Sequence, residues 1–318
     1  MKNLLICGAT GFIGKNLTLH YSKKKNYKVF AVYNNKKPFK CKGVKWIRCD
    51  LRDQLKVSNL IKDKQIVIQA AATTSGAKDI VNKPYIHVTD NAVMNSYILR
   101  SCYEHKVKNF IFFSCTVMLK SQKKPQTEKE FNLNNKIYPN YFGVGWTKIF
   151  IEKQCEFYSK ISNTKFTVIR HSNIYGPHDK FDLEKSHFFG ATINKVLNNK
   201  NGKIIVWGKG NEERDVLYID DLIQFVDLSI KNQKKNYELF NCGYGKSFKV
   251  IDIIKKIVKF SKKKIVIEND LTKKSLSTYL SLNCAKSKKV IGWEKKISID
   301  KGILKTIEWY LKNEKKKL

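Results

Sequence analysis

Short apolar runs alternate with segments of helical periodicity through the first half of this chain. The runs at 3–7, 27–33, 44–48, 65–70, 108–114 and 165–170 have the length and composition of buried strands. Between and after them, 12–24, 54–61, 87–106, 142–161 and 188–198 carry apolar residues at helical spacing. In 87–106, Met94, Tyr97, Ile98 and Cys102 fall on one face and read as core. Strand and helix in alternation predict an α/β fold, a doubly wound parallel sheet with helices on both faces. After residue 170 the pattern loosens into short apolar segments at 203–207 and 238–241, and helices return at 247–261 and 299–313. Ile307, Trp309 and Tyr310 on the last helix read as packing. No repeat, low-complexity linker or coiled coil is visible. The expected organisation is two interleaved lobes: 1–170 with about 215–235 form the sheet domain, and 171–214 with 236–318 form a smaller mixed α/β lobe.

The first strand runs straight into Gly8-Ala9-Thr10-Gly11-Phe12-Ile13-Gly14, and a helix follows. Strand, three spaced glycines and helix make a phosphate cradle, the signature of a Rossmann-type dinucleotide domain. The first glycine permits a tight turn, the second admits a pyrophosphate close to the backbone, and the third lets helix and strand pack closely. The N-terminus of the helix then offers free N–H groups and the positive end of its dipole.

Composition narrows the remaining options. The 318 residues carry 62 Lys+Arg against 27 Asp+Glu, a formal charge of +35. Such a balance raises nucleic-acid binding as a possibility. The lysines, however, are spread along the whole chain, as at Lys23-Lys24-Lys25, Lys234-Lys235, Lys262-Lys263-Lys264 and Lys315-Lys316-Lys317. A dedicated patch would be local and richer in Arg, so a solvated basic surface that steers anionic substrates is the expected reading, with no nucleic-acid partner. The eight cysteines form no CxxC pair, which points to reduced thiols in the cytoplasm and to no metal site. No run of about 18 apolar residues exists to span a membrane, and the N-terminal segment is too short to be a signal peptide.

Further motifs converge on one family. Cys49-Asp50-Leu51-Arg52-Asp53 follows the third strand, Ala70-Ala71-Ala72 the fourth, and Asn173-Ile174-Tyr175-Gly176-Pro177 the sixth. Val206-Trp207-Gly208-Lys209-Gly210, Arg214-Asp215, Tyr218-Ile219-Asp220-Asp221 and Gly292-Trp293 come later. Together with the opening GATGFIG, these resemble the extended short-chain dehydrogenases/reductases, the NAD-dependent epimerase/dehydratase family, over nearly the whole chain. Tyr175-Gly176-Pro177-His178-Asp179-Lys180-Phe181, Ser186-His187 and Val206-Trp207-Gly208 are most similar to the GDP-fucose synthase branch. The resemblance implies an NAD(P)-dependent enzyme that epimerises and reduces a keto-sugar nucleotide. It places Asp50 and Leu51 at the adenine, and Ala70, Ala71 and Ala72 under the cofactor. His171, Ile174 and Lys148 join them in the cofactor site. Asn173, Ser186, His187, Trp207 and Arg214 fall to the sugar nucleotide, with Arg214 a planar fork for phosphate oxygens. His187 and a cysteine would exchange protons beside the ketone.

The pattern breaks at the catalytic helix. Relatives carry Tyr-x-x-x-Lys; here Lys148 is present, but Val144 stands four residues before it and cannot move a proton. Tyr141 lies two helical turns from Lys148 and is either the replacement donor or a packed ring. The Ser/Thr position is equally open, since Phe113-Ser114-Cys115-Thr116 places Cys115 there directly or Ser114 after a one-residue shift, with Thr116 adjacent. The second strand ends in Asn34-Asn35-Lys36-Lys37 with no acidic residue. Asn35 and Lys36 suit a 2′-phosphate, so NADP is expected as cofactor, with NAD the alternative. An Arg that many relatives carry before the late Gly-Trp is absent from Lys273–Leu282, which leaves the nucleotide base open. A homodimer through 87–106 and 142–161 is implied by the family alone. The rival readings are a UDP- or dTDP-sugar 4-epimerase, and a non-catalytic dinucleotide-binding protein that has lost its tyrosine.

Overall fold

The computed structural model describes residues 1–73, 83–183, 186–272 and 278–314. The lysine run 315–317 and residues 273–277 lie outside the described residues. Seven strands form the principal sheet: β1 Lys2–Cys7, β2 Tyr27–Tyr33, β3 Val44–Arg48, β4 Ile66–Gln69, β5 Asn109–Ser114, β6 Lys165–His171 and β11 Tyr237–Cys242. Their order is β3-β2-β1-β4-β5-β6-β11, and every neighbouring pair is parallel. Parallel strands require crossovers, and, except for the loop between β2 and β3, helices supply them. These are α1 Phe12–Tyr21, α2 Gln54–Ile61, α3 Thr89–Glu104 and α4 Phe142–Lys160, with α6 Ile219–Asn232 leading into β11.

The period-two geometry of a strand sorts the side chains into two cores. Leu4 and Ile6 of β1 pack with Leu17 and Tyr21 of α1 and with Leu222 and Phe225 of α6. Leu5 and Cys7 point the other way, into a core shared with Val57 of α2, Met94 and Ile98 of α3 and Ile151 and Cys155 of α4. Both faces are covered, which is why the strands read as continuous apolar runs.

The first core continues without a break into the C-terminal elements. There α5 Phe188–Leu197, α7 Val250–Ser261, α8 Ala285–Ile291 and α9 Ile299–Asn313 surround three small pairings. These join β7 Asn173–Tyr175 to β10 Val216–Tyr218, β9 Glu213–Arg214 to β12 Phe248–Lys249, and β8 Lys203–Trp207 to β13 Val266–Asp270. Two features differ from expectation. The periodicity at 219–232 forms a helix that the sequence reading did not assign. Strand β11, expected with the C-terminal lobe from residue 236, pairs with β6 over its whole length. The reason is that it is apolar on both sides: Phe240 and Cys242 enter one core, Tyr237 and Leu239 pack on the other.

Candidate active site

The strand order reverses direction at β1, and the cleft opens at the C-terminal ends of the strands there. Gly8 sits at φ +71°, and a Cβ on it would lie 2.6 Å from the Ala71 backbone. A Cβ on Gly14 would come within 2.1 Å of the Gly8 carbonyl oxygen. The two glycines therefore let β1, β4 and α1 meet. Gly11 caps α1 with no side-chain hydrogen bond, and the first helical bond is Lys15 N to Gly11 O at 2.8 Å. Ahead of it lie the amides of Phe12, Ile13 and Gly14, which a helix leaves without intrahelical acceptors. A turn in which Gly8 and Gly11 carry no side chain, ending in amides without intrahelical acceptors, fits a dinucleotide's diphosphate.

A cleft of about 780 Å³ runs from this turn. Of the residues expected at a cofactor, Gly8, Thr10, Gly11, Phe12, Asn35, Lys36, Asp50, Leu51, Ala70, Ala71 and Ala72 line it. Ile13 instead packs on the core, and Gly14 is buried behind the turn. Asn35 and Lys36 are exposed at the mouth. Arg52, to which the sequence reading gave no role, grips Asp50 with Nε and Nη2 at 3.0 and 2.8 Å and reaches Asp90 of α3 at 3.2 Å. Those hydrogen bonds hold the Asp50 carboxyl down at about 2. A negative charge two residues before Arg52 was the available signal.

The second group of side chains gathers at the ends of β5 and β6. Lys148 Nζ donates to the Phe113 carbonyl at 2.8 Å and lies 4.7 Å from the centre of the Phe112 ring. Burial lowers the Lys148 pKa, while Cys115 and Glu152 pull it back up. Burial likewise raises the Cys115 thiol, partly offset by Lys148, so the thiol is a proton donor and not a thiolate. His171 Nδ1 meets the Ser172 carbonyl at 2.7 Å, and its ring contacts Phe113 edge-on at 6.1 Å. Burial depresses His171 to about 4, with Lys148 and His187 acting in the same direction. His187, at the N-cap of α5, is open to solvent on one side, yet enough protein surrounds the ring to lower its pKa, aided by Lys180. Lys148 thus acts on both Cys115 and His171, and His187 on His171, although His171 was expected only as a cofactor contact.

Ser114 is already engaged, one helical turn along α4 from Lys148. Its hydroxyl donates to Glu152 Oε1 at 2.5 Å, behind the sheet, where Arg170 Nε and Nη2 also bind the carboxylate at 3.0 and 2.6 Å. That bond occupies Ser114, which leaves Cys115 and the nearly buried Thr116, just past the end of β5, as the candidates from this segment. Tyr141 ends a short 3₁₀ turn before α4 and packs, with Cys115 and Trp146, on Met118, Ile137 and Ile149. Its phenol is within electrostatic reach of Arg214. Val144 occupies the helical turn before Lys148, half-buried.

The expected sugar-nucleotide residues are more dispersed. Arg214 donates to the Glu213 carbonyl at 3.2 Å and to the Thr278 hydroxyl. Burial lowers its pKa against the pull of Glu212 and Tyr141. Both the amide and the side-chain nitrogen of Asn173 donate to the Asp215 carbonyl at 3.1 Å. The Ser186 hydroxyl is turned onto the Asp182 carbonyl. Trp207 stands 64% exposed at the end of β8. Ile174 packs against the core. Among the described residues no three His, Cys, Asp or Glu side chains are placed to hold a metal, and no helix is long and apolar enough to cross a membrane.

Several known proteins similar to this chain are named for nucleotide-sugar chemistry. GDP-L-colitose synthase of Yersinia pseudotuberculosis is 25% identical over 319 residues, 98% of each chain. GDP-L-fucose synthase 1 of Arabidopsis thaliana is 28% identical, covering 83% of each. The fold matches UDP-glucose 4-epimerase of Thermotoga maritima, solved with UDP-glucose, at a TM-score of 0.83 and 23% identity, over 98% of this chain and 99% of that one. UDP-glucuronic acid 4-epimerase of Bacillus cereus, solved with UDP-glucuronic acid and NAD, matches equally well at 0.83 and 22%, again over 98% and 99%. The profile of one family spans residues 4–243, from the glycine turn through β11. This chain belongs to the NAD dependent epimerase/dehydratase family.

Proposed function

We propose that the protein is an NAD(P)-linked epimerase and reductase of a keto-sugar nucleotide, with chemistry like that of GDP-fucose synthase. The observation that carries the reading is the cluster of Lys148, Cys115, His171 and His187 at the ends of β5 and β6. In a protein of this family, the neighbouring glycine turn would serve the dinucleotide, which when bound exchanges a hydride with the sugar.

The chain's own residues account for the proton chemistry. A neutral His187 takes a proton from a carbon beside the ketone, leaving an enolate. The neutral Cys115 thiol returns a proton to the opposite face, so the centre inverts and no net proton is consumed. Lys148, docked on β5, holds ribose hydroxyls and supplies a fixed positive charge. Reduction needs one further proton at the alkoxide, for which Tyr141 and Thr116 are the hydroxyls near Cys115. Arg214 would face the diphosphate, with Trp207, Asn173 and Ser186 around the sugar nucleotide. Asn35 and Lys36 at the mouth suit NADP.

Val144 favours a second reading. Without a phenol one turn before Lys148, the protein would bind a dinucleotide and transfer no hydride. One experiment separates the two: incubation with GDP-, UDP- and dTDP-4-keto sugars in D₂O, following NADPH absorbance and deuterium uptake. The proposal expects uptake beside the ketone, lost in Cys115→Ala and His187→Asn, together with NADPH oxidation. Bound coenzyme with neither signal on any sugar supports the second reading.

A further inference from the structure

The dinucleotide cleft has a wall that the glycine motif does not foretell. The segment His178–Phe181 lines the same space as Gly11, Phe12 and Lys15. Asn16 ties it down, its side-chain nitrogen donating to Phe12 O at 3.0 Å and Pro177 O at 2.9 Å. One amide thus clamps the loop onto the helical turn that ends the phosphate cradle. From behind, Gly190 of α5 admits the loop, since a Cβ there would lie 2.2 Å from the Lys180 carbonyl oxygen. Trp309 of α9 closes the remaining side, 4.6 Å from the His178 ring and 5.9 Å from Phe181. His178 is held at φ +68°, a conformation few non-glycine residues adopt. The loop is therefore fixed on three sides, and Asp179 is the acidic group it presents to the cleft.

A carboxylate beside a diphosphate site would repel the ligand. A carboxylic acid there is instead a hydrogen-bond donor. We infer that Asp179 is a cofactor-binding residue whose protonated carboxyl donates to the diphosphate seated on the glycine turn, so that coenzyme binding requires the proton. The inference rests on the dinucleotide reading of the cleft and adds the loop as its second wall. Asp179 Oδ1 accepts from the Lys180 amide at 2.7 Å, which leaves Oδ2 to carry a proton. Burial raises this carboxyl to about 7, against the weaker pull of that amide and the Lys180 charge. The other charged or titratable groups around the cleft are Lys15 from α1, His178 on the loop and Glu314 after α9, with Tyr33, Lys36, Cys49 and the Asp50–Arg52–Asp90 cluster on the sheet side.

The test is fluorescence titration of NADH and NADPH into wild type, Asp179→Asn and Asp179→Ala across neutral pH. Both coenzymes are needed because the 2′-phosphate of NADPH itself titrates in this range. Wild-type affinity for both should fall about tenfold between about pH 6 and about pH 8 as the carboxylate forms. Asp179→Asn keeps a donor without a charge and should stay tight and flat. Asp179→Ala should be flat but weaker than wild type at the acid end. An Asn variant that weakens with pH as wild type does, or a wild type that binds without pH dependence, overturns the inference and leaves the dinucleotide reading standing. Failure of wild type to bind either coenzyme at any pH overturns both.

Discussion

The ammonium of Lys148 is anchored to the carbonyl oxygen of Phe113 by a 2.8 Å hydrogen bond, which pins helix α4 to the open end of strand β5. The bond sets a positive charge beside Cys115 and His171. In Lys148→Ala both coenzyme affinity and turnover should fall, turnover by at least about a hundredfold, because charge and anchor go together. Steady-state kinetics with a coenzyme titration checks this. Unchanged turnover would remove Lys148 from the site.

Tyr141 and Val144 divide the role of the missing phenol. Tyr141→Phe should slow NADPH oxidation while sparing deuterium uptake beside the ketone, since only reduction needs the extra proton. Val144→Tyr, which restores a phenol one turn before Lys148, should accelerate reduction in the Tyr141→Phe background. Equal loss of both signals in Tyr141→Phe would mean that the ring only packs.

The glycine turn makes a steric prediction. Gly14→Ala drives a methyl group to within 2.1 Å of the Gly8 carbonyl, and Gly8→Ala meets the Ala71 backbone at 2.6 Å with φ already at +71°. Both variants should lose coenzyme binding and melt at lower temperature, by calorimetry. Gly11→Ala, whose methyl group would sit 3.3 Å from the Gly8 carbonyl, should fold and bind more weakly.

Behind the site, Glu152 and Arg170 form an ion pair with side chains only 4% exposed. Removing one partner leaves a buried charge, so Glu152→Met or Arg170→Met should cost about 3–5 kcal/mol in urea denaturation. The double variant should cost much less than the sum of the two.

Asp227 joins α6 to α1 through His20 and Lys24, each at 2.7 Å. Burial pushes this carboxyl up, but the hydrogen bonds from His20 and Lys24 outweigh it and hold the pKa below the ordinary value. A carboxyl depressed in the folded state stabilises above its unfolded pKa of about 4 and loses that contribution as pH falls through the native value. Asp227→Asn should therefore lower the melting temperature at neutral pH and converge with wild type in acid. A gap that persists at low pH would assign the effect to packing.

The sequence by itself determined six of the seven sheet strands, helices α1 to α4 and the glycine turn. All three are local: an apolar run has period two or period 3.6 whatever lies beyond it, and Gly8 at positive φ is a property of one residue. Lys148 was singled out by the resemblance of its helix to the family's Tyr-x-x-x-Lys, with Val144 in place of the Tyr. What only the tertiary structure decided is which side chains meet. Ser114 and Cys115 are adjacent in the chain, yet Ser114, the last residue of β5, is bonded to Glu152, while Cys115, just past the strand, feels the charge of Lys148. His187 comes within electrostatic reach of His171, and Asp179 lines the cleft of the glycine turn, its loop clamped there by the bond from Asn16 to Pro177. Strand β11 lies against β6 because it is apolar on both faces and the sheet offered an open edge. These contacts join residues far apart along the chain, and no local periodicity encodes them.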